Sequence, residues 1–147
     1  TNITLQRQLS EQKELAMLET RQAELKQIER QRANERIKDS SIYITLNKRL
    51  LNPMGKIFVT DEEWQEIREV IIKESPTFFD KLNDIYPLNP YEMQICILIR
   101  MDFPPSAIAK LLERPKETIT STRRRLYNRI FKEKGKPENW DMFIRSL

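Results

Sequence analysis

Residues 104–131 read Pro-Pro-Ser-Ala-Ile-Ala-Lys-Leu-Leu-Glu-Arg-Pro-Lys-Glu-Thr-Ile-Thr-Ser-Thr-Arg-Arg-Arg-Leu-Tyr-Asn-Arg-Ile-Phe, and this stretch decides the fold. Ile108, Leu111 and Leu112 repeat at three- and four-residue spacing, which predicts a short helix with one apolar side. Pro115 predicts the end of that helix, because proline disfavours the α conformation in the residue before it. Proline is also favoured at the first position of a helix, so we expect a second helix to follow at once.

The second helix is predicted over about residues 116–132, and its two sides differ in chemistry. Ile119, Leu126 and Ile130 share one side, at spacings of seven and four residues. The opposite side is polar and basic, and its outward residues are Lys116, Glu117, Thr120, Ser121 and Arg124. Two closely joined helices with a basic second helix are typical of a helix-turn-helix that presents a recognition helix to the major groove of DNA. The simpler interpretation is a helical hairpin whose charges are only solvated.

Short motifs around these two helices match a known pattern. They are Leu88-Asn89-Pro90-Tyr91-Glu92, Ala107-Ile108-Ala109 with Leu112, Lys116-Glu117-Thr118-Ile119, and Arg123 to Leu126. With these motifs the segment from Leu88 to Phe131 resembles the DNA-binding domain of the LuxR/GerE family, which is similar to region four of sigma factors. The family pattern is Leu-Thr-x-x-Glu, then Glu-Ile-Ala-x-x-Leu, then a Thr-Val step after the turn. The resemblance implies a LuxR-like helix-turn-helix core over residues 88–132.

The match departs from the family pattern at the ends of the two helices. Pro104 and Pro115 stand where family members usually carry a Ser or Thr cap, and each lost cap costs about 1 kcal/mol. Arg114 stands at the usually apolar position of the turn, and the usual turn glycine near Asp102 is absent. These departures favour an alternative function, an oligomerising signalling adaptor or scaffold whose degenerate helix-turn-helix binds protein. The consecutive arginines at 123–125 count against that alternative.

The DNA-binding interpretation gives roles to individual side chains of the second helix. Its five outward residues are expected to face bases, because Arg can donate a bidentate pair to guanine and hydroxyl groups can donate or accept at base edges. Phosphates are expected to be held by Thr118, Arg123, Arg125, Arg129 and Lys132. We therefore predict a dimeric transcriptional regulator that binds double-stranded DNA.

Residues 2–51 predict one long helix, because they contain no Gly or Pro and are rich in good helix formers. Leu5, Leu9, Ala16 and Ala23 fit a heptad seam, Leu18, Leu25 and Ile28 fit a second, offset seam, and Ile42, Leu46 and Leu50 continue the apolar spacing. We expect residues 1–52 to be a coiled-coil-type oligomerisation segment, with a homodimer formed through residues 1–51. Asn52-Pro53-Met54-Gly55 is expected to end the helix, before a short connector at 56–59. The alternative is a free, solvated helix.

Residues 53–147 predict a compact domain of about six short helices. Thr60 and Glu63 fit a capping box, and Asn89 and Glu92 repeat that pattern. A further helix start is predicted at Ser75-Pro76, and a helix stop followed by a start at Lys134-Gly135-Lys136-Pro137. The aromatic side chains expected in the core are Trp64, Phe78, Phe79, Phe103, Phe131, Trp140 and Phe143. The predicted fold class is all-α, a long N-terminal helix followed by a multi-helix domain.

Composition limits the chemistry that the chain can perform. Its 147 residues include no His and only two Gly, so neither a catalytic His nor a glycine-rich phosphate loop can be present in it. The single cysteine, Cys96, lies in an apolar run and is expected in the core of a protein from a reducing compartment. We predict no enzymatic activity, no metal and no cofactor, and no small-molecule ligand is evident.

Charge is distributed unevenly along the chain. Residues 51–88 contain four Lys and Arg against eight Asp and Glu, whereas residues 89–131 contain eight against four. This contrast is typical of a basic nucleic-acid face backed by an acidic support. The mean hydropathy is −0.65. The sequence contains no run of about 20 apolar residues, so it predicts no membrane span.

A second set of motifs extends the resemblance over about ninety residues. These are Asp61-Glu62-Glu63-Trp64, Pro76-Thr77-Phe78-Phe79, Arg125-Leu126-Tyr127 and Trp140-Asp141-Met142-Phe143-Ile144. With them the chain resembles the cytoplasmic C-terminal part of a class of Bacteroidetes transcriptional regulators. The resemblance implies a cytoplasmic location and an upstream membrane span preceded by helical repeats. The start at Thr1, without a Met, is expected for such a fragment.

Overall fold

The computed structural model describes residues 1–52, 54–55 and 57–147, so Pro53 of the predicted helix end and Lys56 of the predicted connector lie outside the described residues. Within these ranges the chain forms eight α-helices and no strand, which confirms the predicted all-α class. The helices are α1 (Asn2–Lys38), α2 (Ser41–Leu51), α3 (Asp61–Glu74), α4 (Phe78–Ile85), α5 (Pro90–Arg100), α6 (Pro105–Leu111), α7 (Lys116–Phe131) and α8 (Pro137–Ser146).

The chain divides into two compact units, Thr1–Glu35 and Arg36–Leu147. This division corrects the boundary predicted near residue 52, because α2 belongs to the second unit. Ile37, Ile42 and Leu46 are fully or almost fully buried in the core of that unit. The ring of Tyr43 also stacks on that of Phe103, with ring centroids 4.7 Å apart. Residues 36–52 therefore help to form the compact domain.

The long helix predicted over residues 2–51 is broken at Asp39 and Ser40. Ser40 is the N-cap of α2, where its Oγ accepts a hydrogen bond from the N–H of Tyr43 at 3.3 Å. The same hydroxyl donates to the carbonyl of Ile37 at 2.5 Å. One side chain thus satisfies backbone groups of both helices at the break. The prediction of one continuous helix was wrong for this reason.

The first unit consists of a single helical segment whose Leu, Ile and Met side chains face solvent. Leu5, Leu9, Leu18, Leu25 and Ile28 all have exposed side chains. Residues 1–35 carry six Lys and Arg and six Asp and Glu, so this unit has no net charge. These side chains belong to both of the offset seams predicted from the sequence, so they lie on more than one side of the helix and do not form a single stripe.

The core of the second unit is built around α5. Residues 95–99 of this helix are all buried, as the apolar run in the sequence predicts. Both α6 and α8 pack against α5, and α7 packs against α6 and α8. Trp140 and Ile144 of α8 contribute fully buried side chains. Burial raises the pKa of the Cys96 thiol to about 12, so the prediction that this cysteine belongs to the core is confirmed.

Helix starts in the second unit follow the capping patterns in the sequence. The Thr60–Glu63 and Asn89–Glu92 capping boxes are both formed. Pro104 and Pro115 are the N-caps of α6 and α7, and neither provides a side-chain hydrogen bond. One start differs from its prediction, because α4 begins at Phe78 and not at Ser75-Pro76.

Three helices end in a left-handed residue that is not glycine, and one of these residues is Lys132, with φ 53°, after α7. The other two ends share one hydrogen-bond pattern. Asp102 has φ 68° after α5, and Glu113 has φ 53° after α6. In both places the next residue donates its N–H back to the third-last residue of the helix, Phe103 to Leu98 at 3.1 Å and Arg114 to Ala109 at 3.0 Å. These are the hydrogen bonds of a Schellman motif, in which glycine usually holds the left-handed position.

The carboxylate of Asp102 also links the end of α1 to the end of α8. Its oxygens lie 2.8 Å from Nζ of Lys38 and 3.4 Å from Nε of Arg145. The hydrogen bond to Asp102 raises the pKa of Lys38. An Asp tolerates the left-handed conformation better than most residues, and here its side chain gains two cationic partners. This accounts for an Asp at a position where a turn glycine was expected.

Glu63 connects the start of α3 to α2, and we expect Glu63→Gln to weaken the fold in a pH-dependent way. Arg49 donates to both carboxylate oxygens, at 2.8 and 2.6 Å, and the N–H of Thr60 donates to Oε1 at 3.0 Å. The hydrogen bond from Arg49 lowers the pKa of Glu63. A lowered folded pKa gives a stabilisation that is present above the unfolded value of about 4.3 and is lost as the pH falls through the folded value.

At neutral pH this substitution is expected to lower the free energy of unfolding by about 1–2 kcal/mol. Urea denaturation at several pH values measures this difference, which should vanish at acid pH where Glu63 is protonated. Glu62→Gln, at the exposed neighbouring position, is the matched control and should have little effect. A difference that stays constant with pH would contradict the prediction.

Candidate nucleic-acid interface

One side of α7 anchors it to the core. Ile119 and Leu126 are fully buried, and Ile130 packs against the core while partly exposed. Thr122 is also buried, and its Oγ1 donates to the carbonyl of Thr118 at 2.8 Å within the helix. The predicted inward side of this helix is therefore confirmed, and α6 and α8 are the helices that cover it.

The five residues predicted to face bases lie on the opposite side of α7. Lys116, Glu117, Ser121 and Arg124 are exposed, and Thr120 is partly exposed. The first turn of α7 receives no side-chain cap from Pro115, and within it the N–H of Thr118 donates to the carbonyl of Pro115 at 3.0 Å. The surface that results combines two cations, two hydroxyl groups and one carboxylate.

Arg123 is not on this surface, which corrects its predicted role as a phosphate contact. Its side chain is 3% exposed and pairs with Asp141 of α8, which is 9% exposed. Nε of Arg123 donates to Oδ1 of Asp141 at 2.8 Å, and a second hydrogen bond joins its terminal guanidinium nitrogen to Oδ2. A buried fork of this kind leaves the arginine neutralised by its partner and out of reach of a duplex.

The other predicted phosphate residues form a flank along α7. Thr118, Arg125, Arg129 and Lys132 are all exposed. Two of these arginines approach the buried carboxylate of Glu92, whose Oε2 lies 3.7 Å from Arg129 and 4.0 Å from Arg125. The guanidinium of Arg129 also lies over the ring of Tyr86, 5.1 Å from its centroid. We call Arg125 and Arg129 the arginine flank.

The connection between α6 and α7 is short and polar. It consists of Leu112, Glu113, Arg114 and Pro115. Arg114, at the position where an apolar side chain was expected, is exposed and stacks over the ring of Tyr91 at 5.2 Å. The aliphatic and planar parts of an arginine can cover an aromatic ring as an apolar side chain would. This stacking explains how the connection accommodates the charge.

Sequence reasoning missed three residues that organise the surface. Glu92 was assigned only to a helix cap, and neither Asp141 nor Tyr86 was assigned a role at the interface. The local sequence offers no signal for the pairing of Asp141 with Arg123, because they are 18 residues apart on different helices. Among the predicted core aromatics, Phe131 is 40% exposed and stacks on Tyr127 at the end of α7. The prediction that Phe131 is a core residue was therefore wrong.

Two other kinds of site are not found in the part of the chain that the structure describes. No three Cys, Asp or Glu side chains there come together in a group that could hold a metal ion. No helix there has both the length and the apolar character needed to cross a membrane.

Comparisons with known proteins add no homologue. No protein-family model, no curated protein and no solved structure matches this chain.

Proposed function

We propose that this protein is a DNA-binding transcriptional regulator that places α7 in the major groove through a LuxR-like helix-turn-helix. The observation that carries the proposal is the contrast between the two sides of α7. Ile119 and Leu126 are fully buried, while Lys116, Ser121 and Arg124 are exposed on the other side. The helix has 16 residues, about 24 Å at the usual rise, which suits a groove about 12 Å wide.

The charge of α7 supports the same proposal. The helix contains five Lys and Arg against one Glu. Arg123 is neutralised by Asp141, so four basic side chains remain on the exposed surface and its flank. Basic residues on one helix face can supply both phosphate contacts and base contacts, which supports DNA binding.

The proposed regulator is a homodimer held together by α1. We assign the proposed interface to residues 1–35 and not to residues 1–51, because Ile42 and Leu46 are buried in the domain and are not free for a partner. The exposed Leu and Ile side chains of α1 supply an apolar surface for a second copy, and the equal numbers of acidic and basic residues avoid repulsion between copies. Two domains related by a twofold axis would bind a palindromic site with half-sites about one DNA turn apart.

The direct test is fluorescence anisotropy of the full chain with labelled DNA duplexes at several salt concentrations, with RNA as competitor. Binding that weakens linearly on a log–log salt plot is expected, because phosphate contacts release counterions. RNA should compete poorly, because none of the five residues expected to face bases is an aromatic side chain that could stack on a base. No DNA binding at low salt would contradict the proposal and would favour the protein-binding alternative.

Arg124→Ala and Arg125→Ala form a matched pair that separates base contacts from phosphate contacts. Arg124→Ala is expected to weaken binding to a selected sequence by about 1–3 kcal/mol and to relax the preference at one base position. Arg125→Ala is expected to weaken binding to all sequences alike and to lower the salt slope by about one unit. Selection from a random DNA pool, followed by salt titration of each variant, measures both effects. Two variants with wild-type behaviour would show that this assignment of sides is wrong.

A further inference from the structure

Glu92 is a buried carboxylate at the edge of the arginine flank. Its side chain is 4% exposed. Oε1 accepts the N–H of Asn89 at 3.0 Å and so completes the capping box of α5. Oε2 has a different environment, because the two nearest cations are Arg129 and Arg125 of α7. One carboxylate therefore serves a helix cap with one oxygen and faces two arginines with the other.

The contacts between Glu92 and the arginine flank are loose. At 3.7 and 4.0 Å they are charge contacts that exceed hydrogen-bond distance. Arg125 is 56% exposed and Arg129 is 36% exposed, so both remain accessible to solvent. Each arginine can therefore turn its donors toward an incoming anion while its stem stays in place.

A carboxylate held by a capping box next to two exposed arginines acts as an internal counterion. Two positive charges and one negative charge leave a net charge of one at this point of the surface. A phosphate that approaches the arginine flank must compete with Glu92 for the same guanidinium groups and is also repelled by its charge. Since the carboxylate is held by the capping box, it cannot move away when DNA binds.

We propose that Glu92 limits the phosphate affinity of the arginine flank and thereby restrains non-specific DNA binding. This inference rests on the proposed function, because it assigns a role to Glu92 in the same interface. The restraint acts on every sequence alike, so the base contacts of α7 account for a larger share of the total affinity. Glu92 is then a specificity-determining residue that need not touch DNA.

The test is the substitution Glu92→Gln in the full chain, measured with a fluorescein-labelled duplex of random sequence across a series of KCl concentrations. The amide oxygen of Gln can still accept the N–H of Asn89, so the cap is retained while the charge is removed. Binding is expected to tighten about three- to tenfold at low salt. The log–log salt slope is expected to steepen by about one unit.

Glu66→Gln is the matched control, because it makes the same change in formal charge at an exposed position of α3. It should leave the salt slope unchanged, which separates a local effect of Glu92 from an effect of net charge. Unchanged or weaker binding by a folded Glu92→Gln variant overturns the inference while wild-type DNA binding stands. No DNA binding by the wild type overturns the proposed function itself.

A second measurement does not depend on altering Glu92. Arg125→Gln and Arg129→Gln are tested singly and together by the same salt titration. If Glu92 cancels the charge of one arginine, either single substitution lowers the salt slope by about one unit. The charge of the remaining arginine is then cancelled by Glu92. The double variant should then lose little more than a single variant. An additive loss of about two units overturns the inference.

Discussion

Asp141→Ala is expected to lower the free energy of unfolding by about 3–5 kcal/mol, because it leaves the guanidinium of Arg123 buried without a counterion. The pair joins α7 to α8, and both of its side chains are nine-tenths or more buried. The single substitution removes two hydrogen bonds and a compensating charge at once. Urea denaturation followed by circular dichroism measures the loss, which is a large part of the 5–15 kcal/mol available to a typical domain.

The control for this prediction replaces both partners with apolar residues. Arg123→Met combined with Asp141→Leu removes both charges and keeps similar volumes, so it should cost much less than Asp141→Ala alone. The same double variant also tests the placement of Arg123 away from DNA. Its salt slope should equal that of the wild type, whereas loss of a phosphate contact would lower the slope by about one unit. A single variant as stable as the wild type would contradict the burial of this pair.

Local sequence signals were sufficient to predict most helix starts in the second unit. The capping boxes at Thr60 and Asn89 were predicted because both partners of each box lie within four residues of one another. The inward side of α7 was predicted because Ile119 and Leu126 keep helical spacing. In each case the information that decides the structure lies within two turns of helix.

The break between α1 and α2 was missed although a local signal exists. Asp39, Ser40 and Ser41 are residues that favour N-cap positions. The helix was predicted to continue to residue 51 because the segment contains no Gly or Pro. The apolar spacing of Ile42 and Leu46 was also consistent with a continued seam. Spacing alone cannot distinguish a side that packs within one domain from a side that packs against a second copy, because both need the same apolar stripe.

The burial of Arg123 could not be predicted from its neighbours. In the sequence, Arg123 follows two polar residues and precedes two other arginines. A role as a phosphate contact was therefore the simplest interpretation. Its position is decided by Asp141, a residue brought near by the packing of α7 on α8. Glu92 and the arginine flank show the same dependence on tertiary packing, since α5 and α7 are separated by all of α6 in the chain. The features that set the charge of the interface therefore depend on contacts between residues that are far apart in the sequence.

The two units of the chain are expected to respond in opposite ways to truncation. A chain of residues 31–147 keeps one helical turn before Arg36 and should unfold cooperatively, as a monomer, because the proposed dimer interface is removed. A chain of residues 53–147 lacks Ile37, Ile42 and Leu46, which are buried in the core. Burying each of these side chains contributes about 1.5–3 kcal/mol, so their combined loss approaches the whole stability of a typical domain. We expect the shorter chain not to fold.

Thermal unfolding by circular dichroism and sedimentation equilibrium distinguish these outcomes. Two Leu→Ala substitutions, one in each unit, test the same two roles in the full chain. Leu46→Ala should lower the free energy of unfolding of the domain by about 2–5 kcal/mol without changing the oligomeric state. Leu9→Ala, at an exposed position of α1, should weaken dimerisation and leave the unfolding of the domain unchanged. Cooperative folding of residues 53–147 would contradict the place of α2 in the core, and a dimer formed by residues 31–147 would move the interface away from α1.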